Sequence, residues 1–342
     1  MPHPLGTHDG VGDHAVILAK VLQAGYGRET IFVSAKDISK AASNNYDDII
    51  LHYVNYGYQK RGVPFALLRV LRQLRRSGGR LLTIFHELYA SGSPWQSAFW
   101  LRPFQIHIAR SISRISGSCI VSSDMMARQL QGLTPKVRVS VHPVFSNFGE
   151  PSLSQTQMAS RNPRRWVICG GTALVERSLR SFCAIRKQIP PAVSADELFV
   201  LGGKDNPIVR STLSGLTETR SDYRPQIAAE EASQILSTCS FAWLDYFHRP
   251  DVPTDALLKS SAFAAVCAHG VIAVLPHLGS IISIETDQLP GPYFINGQRC
   301  QLPSEQDRHE IAKEIYNWYQ RHASADHLAR GIAAALELNQ EP

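Results

Sequence analysis

The chain of 342 residues is about twice a usual domain length, so two domains are expected. With 44% hydrophobic and 19% charged residues the composition is globular, which excludes a disordered chain and supplies apolar material for two cores. Lys+Arg 35 against Asp+Glu 29 leave a net charge of +6, a mild surplus that suits anionic small molecules or an acidic membrane surface as well as nucleic acid.

Asp13 to Ala24 has helical periodicity, and Thr30–Ser34 (TIFVS) and Asp48–Val54 (DIILHYV) read as buried strands. Pro64–Arg76 predicts an amphipathic helix with Phe65, Leu68, Leu71 and Leu74 on one side and Arg69, Arg72 and Arg76 forming a basic stripe. That stripe is a solvated face or a contact for acidic lipid headgroups. Gly78-Gly79 ends the helix before the strand Leu81–Phe85. A helix from about Gln96 to Ile115, the strand Cys119–Ser122, a short helix from Ser123 and the strand Val137–Val141 follow. Residues 150–165 are polar and aperiodic, as a linker would be.

The pattern then repeats. Strand Trp166–Cys169 meets Gly170-Gly171 and a helix from about Ser178, and strand Leu198–Leu201 meets Gly202-Gly203-Lys204 and a helix from about Pro207. A helix near Ala228–Leu236, strand Phe241–Asp245, a helix from about Thr254 to Ala268, strand Val271–Leu275 and two closing helices complete the chain. Short apolar strands alternating with helices imply parallel sheets covered on both faces. The expected architecture is α/β, with two doubly wound Rossmann-like domains in tandem: residues 1–150, a linker over 151–165, and residues 166–342. Ligands of such folds bind beyond the carboxyl ends of the strands, which for two facing domains means a cleft.

Cys119, Cys169, Cys183, Cys239, Cys267 and Cys300 show no CxxC or other metal spacing, and read as reduced thiols of a cytosolic protein. Met-Pro-His-Pro lacks a basic segment leading into an apolar one, so secretion is not expected. No run approaches the roughly 18 apolar residues of a membrane span; peripheral binding stays open.

Four segments can carry chemistry. Gly10-Val11-Gly12-Asp13 before a helix reads either as an anion- or ligand-approaching loop or as a tight turn with Asp13 as N-cap. His86-Glu87 directly follows an apolar strand, a cleft position or a polar cap. It lacks the second histidine of a zinc-protease HExxH, which argues against a metal role. Gly171 with Arg177, and the turn ending in Lys204, place glycines and cations where phosphate oxygens could meet both. Lys259-Ser260-Ser261 offers an ammonium and hydroxyls to a diphosphate, or is an exposed stretch within a longer helix. No GxxxxGK[ST], GxSxG or DxD motif is present.

The Gly-Val-Gly-Asp-His loop at 10–14, His-Tyr-Val-Asn-Tyr-Gly-Tyr-Gln-Lys-Arg-Gly-Val-Pro at 52–64, His-Glu-Leu-Tyr-Ala at 86–90, the glycine turns and Ala-His-Gly-Val at 268–271 resemble bacterial GT-B glycosyltransferases of the retaining, family-four type. The resemblance covers the whole chain in architecture, with its more specific motifs in the first domain. It implies sugar transfer from a nucleotide-diphosphate donor to a glycan or lipid-linked acceptor, with retention, no metal or other cofactor, and no nucleic-acid partner. It also implies a role in polysaccharide biosynthesis, in the cytoplasm or at the inner face of the membrane. The second domain would hold the nucleotide and the first the acceptor. His86, with Glu87, would stand near the transferred sugar, and Gly10, Gly12 and Asp13 near phosphate or acceptor. Arg177 would take the place of a phosphate-binding lysine.

One departure stands out. Aligning the family's last nucleotide-binding helix on Gly270 puts Leu257 and Ala265 where two glutamates are usual. A catalytically inactive GT-B-like binding or regulatory subunit is therefore the alternative. A nucleotide-sugar epimerase and a two-lobed binding protein share the plan with less to favour them. The Gly10–Gly12 loop should also follow a strand, and residues 1–9 are too polar and proline-rich to form one. The expectation is a natural start upstream of Met1, or a first sheet short of its central strand.

Overall fold

A computed structural model describes residues 1–2, 10–38, 46–90, 95–249, 252–276, 283–284, 287–288, 293–296, 299–300 and 302–337. The chain divides into two units: Met1–Pro143 together with the segment from Ala325, and Val144–Ser324. Residues 150–165, expected to link two domains, thus lie within the second unit, and the last helix belongs to the first.

Unit 1 contains α1 (Gly10–Tyr26), β1 (Asp48–Tyr53), α2 (Phe65–Arg76), β2 (Arg80–Phe85), α3 (Ser97–Ile115), β3 (Ser118–Val121), α4 (Asp124–Leu133) and β4 (Val139–Val141). The four strands form one parallel sheet in the order β1-β2-β3-β4. α2 buries Leu67, Leu68, Leu71 and Leu74, a spacing that puts one apolar stripe on the sheet, while Arg69, Arg72 and Arg76 face solvent. Phe65 is not part of that stripe. It begins the helix and is exposed. Gly78 stops α2 at φ +94°, a backbone conformation that suits glycine.

Among the described residues Thr30–Ser34 carries no strand pairing, contrary to its β-branched, apolar sequence. A strand needs a partner for its N–H and C=O groups. Here Val33 accepts a hydrogen bond at 3.0 Å from the Met1 ammonium. Helix α1 starts at Gly10, so Asp13 sits inside its first turn and is not the N-cap. Residues 3–9, which precede it, lie outside the described residues.

Unit 2 contains α5 (Gln155–Ala159), β5 (Arg165–Cys169), α6 (Thr172–Ile185), β6 (Glu197–Leu201), α7 (Pro207–Ser214), β7 (Arg220–Arg224), α8 (Ala229–Leu236), β8 (Phe241–Trp243), α9 (Ser261–Ala268) and β9 (Ile272–Leu275). The short strands β10 (Ser283–Ile284), β11 (Asp287–Gln288), β12 (Tyr293–Asn296) and β13 (Arg299–Cys300) precede α10 (Glu305–His322). The main sheet runs β13-β12-β9-β8-β5-β6-β7, parallel except for the β12–β13 pair. Helix α11 (Ala325–Glu337) returns to unit 1 and packs on α1. Sequence periodicity misses β7, whose RSDYR carries three charges. It is the edge strand, and its residues stay partly exposed.

The core of unit 2 is aromatic: Trp166 stacks on Phe241 at 4.8 Å between ring centroids, and Phe182 meets Trp243 edge-on at 5.5 Å. The expected linker is fixed to this unit. Ser154 and Gln157 form a capping box at α5, and the buried Arg161 donates to the carbonyls of Ser237, His269 and Gly270. A polar, aperiodic sequence here reflects hydrogen bonding to helix ends, not mobility.

Two further boundaries differ from the sequence reading. Helix α6 starts at Thr172 instead of about Ser178, so Glu176 and Arg177 are helical and not part of a turn. Thr254–Lys259 is a 3-10 helix, and α9 begins separately at Ser261 with Ser260 as its N-cap.

Candidate functional site

In unit 2 a pocket of about 370 Å³ opens where β5 ends and α6 and α9 begin, lined in part by Gly170, Gly171, Tyr246, Lys259, Ser260 and Ser261. Its position follows from local backbone chemistry. Gly170 has φ +139°, and a Cβ there would stand 2.7 Å from Leu174 Cδ2, so the turn into α6 needs glycine. Gly171 is the N-cap of α6, and a Cβ on it would meet open space, so its backbone faces the cavity. At α9 the Ser260 side chain accepts from Phe263 N–H at 3.1 Å and also bonds the Tyr246 hydroxyl. Two helix N-termini therefore border one cavity, each with first-turn N–H groups that lack an acceptor within their helix.

Lys259 is exposed at the end of the 3-10 turn. Tyr246 is held protonated, because burial raises its phenol well above the ordinary range. Asn147, at the start of unit 2, also lines the pocket, and its buried Oδ1 has no hydrogen-bond partner. Among the described residues no carboxylate lines the cavity. Hydroxyls, amides, helix N-termini and one ammonium make a site for an anion.

The structure thus brings together Gly171, Lys259, Ser260 and Ser261. Arg177 and Lys204 fall outside the lining. Arg177 Nε donates to the Asp245 carbonyl at 2.7 Å, and Lys204 N–H donates to Thr172 Oγ1 at 2.8 Å. The Gly202–Lys204 turn supports the pocket instead of lining it: a Cβ on Gly203 would stand 2.8 Å from Thr172 N and Cα. Leu257 and Ala265 are fully buried in the core of unit 2, where carboxylates would have no solvation. Asn147, Phe148 and Tyr246 also line the pocket. They follow no motif and meet the glycine turn only through the fold.

In unit 1, His86 follows β2, and its N–H extends the ladder to Tyr53 C=O at 2.9 Å. Its ring lies against two histidines from other elements. His52 of β1 is 3.2 Å away, Nδ1 to Nε2, and the His14 ring of α1 is 5.0 Å away between centroids. Burial, and then repulsion from the neighbouring rings, lowers the His14 and His52 pKa values well below 6.5. Glu87 is exposed, as are Gly10 and Asp13, while Gly12 is buried in the first turn of α1. His14 and His52 stand inside the two motifs quoted above, yet sequence spacing alone does not connect them to His86.

No protein-family model matches the chain, and no curated protein matches it. Solved structures do. An alpha-glucosyltransferase in complex with UDP-glucose and DNA containing an abasic site aligns at a TM-score of 0.56 with 12% identity, covering 96% of both chains. Alpha,alpha-trehalose 6-phosphate synthase from Burkholderia multivorans aligns at 0.55 with 14% identity over 95% of this chain and 76% of that one. The S. aureus MnaA–UDP structure aligns at 0.50 with 8% identity over 96% and 94%. The chain has the two-domain, Rossmann-like architecture of the GT-B fold.

Proposed function

We propose that the protein is a glycosyltransferase that moves a sugar from a nucleotide-diphosphate donor to a glycan or lipid-linked acceptor, with retention of anomeric configuration. The carrying observation is the unit 2 pocket, a cavity bordered by two helix N-termini and Lys259. Two of the similar folds were solved with UDP-glucose or UDP bound. Transfer must stabilise the leaving diphosphate and the oxocarbenium-like charge on the sugar. In this metal-independent reading, backbone N–H groups at Gly171 and Ser261, the Ser260 region and Lys259 meet the first demand. His86, with Glu87, is the candidate beside the transferred sugar, and Gly10, Gly12 and Asp13 are candidates on the acceptor side.

The test is incubation with UDP-, GDP- and ADP-sugars, reading binding by thermal shift and turnover by free nucleotide. Absence of binding to every donor would overturn the assignment, and an inverted anomeric product would overturn retention. His86→Ala should abolish transfer while leaving the melting temperature nearly unchanged. The core positions of Leu257 and Ala265 favour one second reading, a GT-B-like binding or regulatory subunit without turnover. Donor binding with no nucleotide release under any acceptor condition identifies it.

A lipid-linked acceptor at an acidic membrane surface in the cytoplasm is supported by unit 1. Trp95 is 93% exposed, Trp100 68% and Phe104 53%, along and just before α3, while α2 presents Arg69, Arg72 and Arg76. Five described cysteines are free thiols, in keeping with a reducing compartment. Among the described residues no helix is long and apolar enough to cross a membrane. Co-sedimentation with phosphatidylserine vesicles should fall when Trp95 and Trp100 are both replaced by Ser.

A further inference from the structure

We propose that His14, His52 and His86 form a zinc site in unit 1, with three imidazole ligands and a fourth position open to an oxygen ligand. The three residues come from three elements: His14 from the first turns of α1, His52 from the end of β1, and His86 from the residue after β2. Pairing of β1 with β2 sets His52 opposite Ile84, two residues before His86, and α1 brings His14 across both. One ring nitrogen from each histidine lies within 4.8 Å of the other two.

The distances fit the chemistry of zinc. Nitrogens bound at about 2.0–2.1 Å around a tetrahedral ion stand about 3.4 Å apart. His52 Nδ1 and His86 Nε2 already stand at 3.2 Å. The third nitrogen lies within 4.8 Å of these two and has up to about 1.4 Å to close to reach that spacing. In the metal-free cluster, the two nearly parallel rings of His52 and His86 share one hydrogen bond. A divalent ion gives all three nitrogens one common partner. His14 and His52 are buried and His86 is partly exposed, so the free coordination position faces the His86 side. An all-imidazole set selects zinc, copper or nickel over magnesium or calcium, and three ligands with one open position is the catalytic, not the structural, pattern for zinc.

This site is independent of the donor pocket, whose lining shares none of its residues, and its test uses metal alone. The full chain is stripped with a chelator and titrated with Zn²⁺ by calorimetry, then with Co²⁺, whose visible absorption reports tetrahedral nitrogen coordination. One Zn²⁺ per chain with micromolar or tighter affinity is expected. His86→Ala should weaken it by about 100-fold with the metal-free melting temperature nearly unchanged, because His86 is partly exposed. His86→Cys supplies another zinc ligand and should retain binding, whereas His86→Gln should not. If His14→Ala or His52→Ala fails to fold, the His86 series decides alone. The proposal is overturned if the wild type takes up no stoichiometric Zn²⁺, or if His86→Ala binds as tightly as the wild type. Sugar transfer, present or absent, does not enter the readout.

Discussion

Among the described residues Lys259 is the one cation lining the unit 2 pocket, and its side chain is exposed. Lys259→Ala should weaken nucleoside diphosphate binding by about tenfold, roughly 1.4 kcal/mol, with little change in melting temperature. Isothermal calorimetry with UDP or GDP checks it. His269 has the opposite character. Its Nδ1 lies 2.7 Å from the Ala265 carbonyl and its Nε2 2.8 Å from Ser233 Oγ, so the neutral ring donates from Nδ1 and accepts at Nε2. Burial lowers its pKa from 6.5 to about 4. A depressed folded pKa means that the unfolded chain takes up the proton first. Stability from this group is whole above pH 6.5 and is lost as pH falls towards 4, by roughly 3 kcal/mol. Urea midpoints should fall across that window, and the His269 ring should remain neutral by NMR at pH 5.5.

At the scale of elements, the break between the 3-10 turn at Thr254–Lys259 and α9 makes the pocket. A single helix from Thr254 to Ala268 would have placed Lys259 mid-helix with no N-terminus at the cavity. Ser260 holds the break through its bonds to Phe263 N–H and the Tyr246 hydroxyl. Ser260→Ala should cost about 1 kcal/mol of unit 2 stability, and should also weaken diphosphate binding by loosening the α9 N-terminus. Denaturant unfolding and calorimetry on the same variant separate the two effects. In unit 1, β1 is the edge of the described sheet, and a cavity of about 470 Å³ runs along it, lined by Leu18 and Leu22 of α1, Ile31 and Val33, and Leu71 and Leu74 of α2. The alternate β1 amides that do not pair with β2 should exchange hydrogen faster than those of β2, which is paired on both sides.

At the scale of the whole molecule, two units with separate sheets imply two responses to ligand. A nucleoside diphosphate should raise the unfolding transition of unit 2 and leave that of unit 1 in place, as scanning calorimetry can resolve. The alternation of apolar runs with amphipathic stretches was enough to read a tandem α/β architecture, because buried parallel strands and their covering helices impose different periods on the chain. Gly170-Gly171 was legible as a turn at a strand's carboxyl end for the same reason, whereas the break before Ser261 was not, because Thr254 to Ala268 reads as one helix. The roles of neighbours were not legible. Arg177 and Lys204 have the composition of phosphate ligands, yet Arg177 Nε bonds the Asp245 carbonyl, and Lys204, whose backbone N–H bonds Thr172 Oγ1, is exposed outside the pocket lining. Arg161 reads as linker and is a buried clamp on three carbonyls. His86 was visible as a polar residue after a strand. Its company with His14 and His52 was not, because contacts between residues far apart in sequence leave no mark in local periodicity. The sequence by itself determined most of the strands and helices, through short-range propensity and burial pattern, but not the polar edge strand β7 or the start of α6. Tertiary packing alone decided which turns share a pocket and which side chains share a site, because strand order and helix placement set those distances.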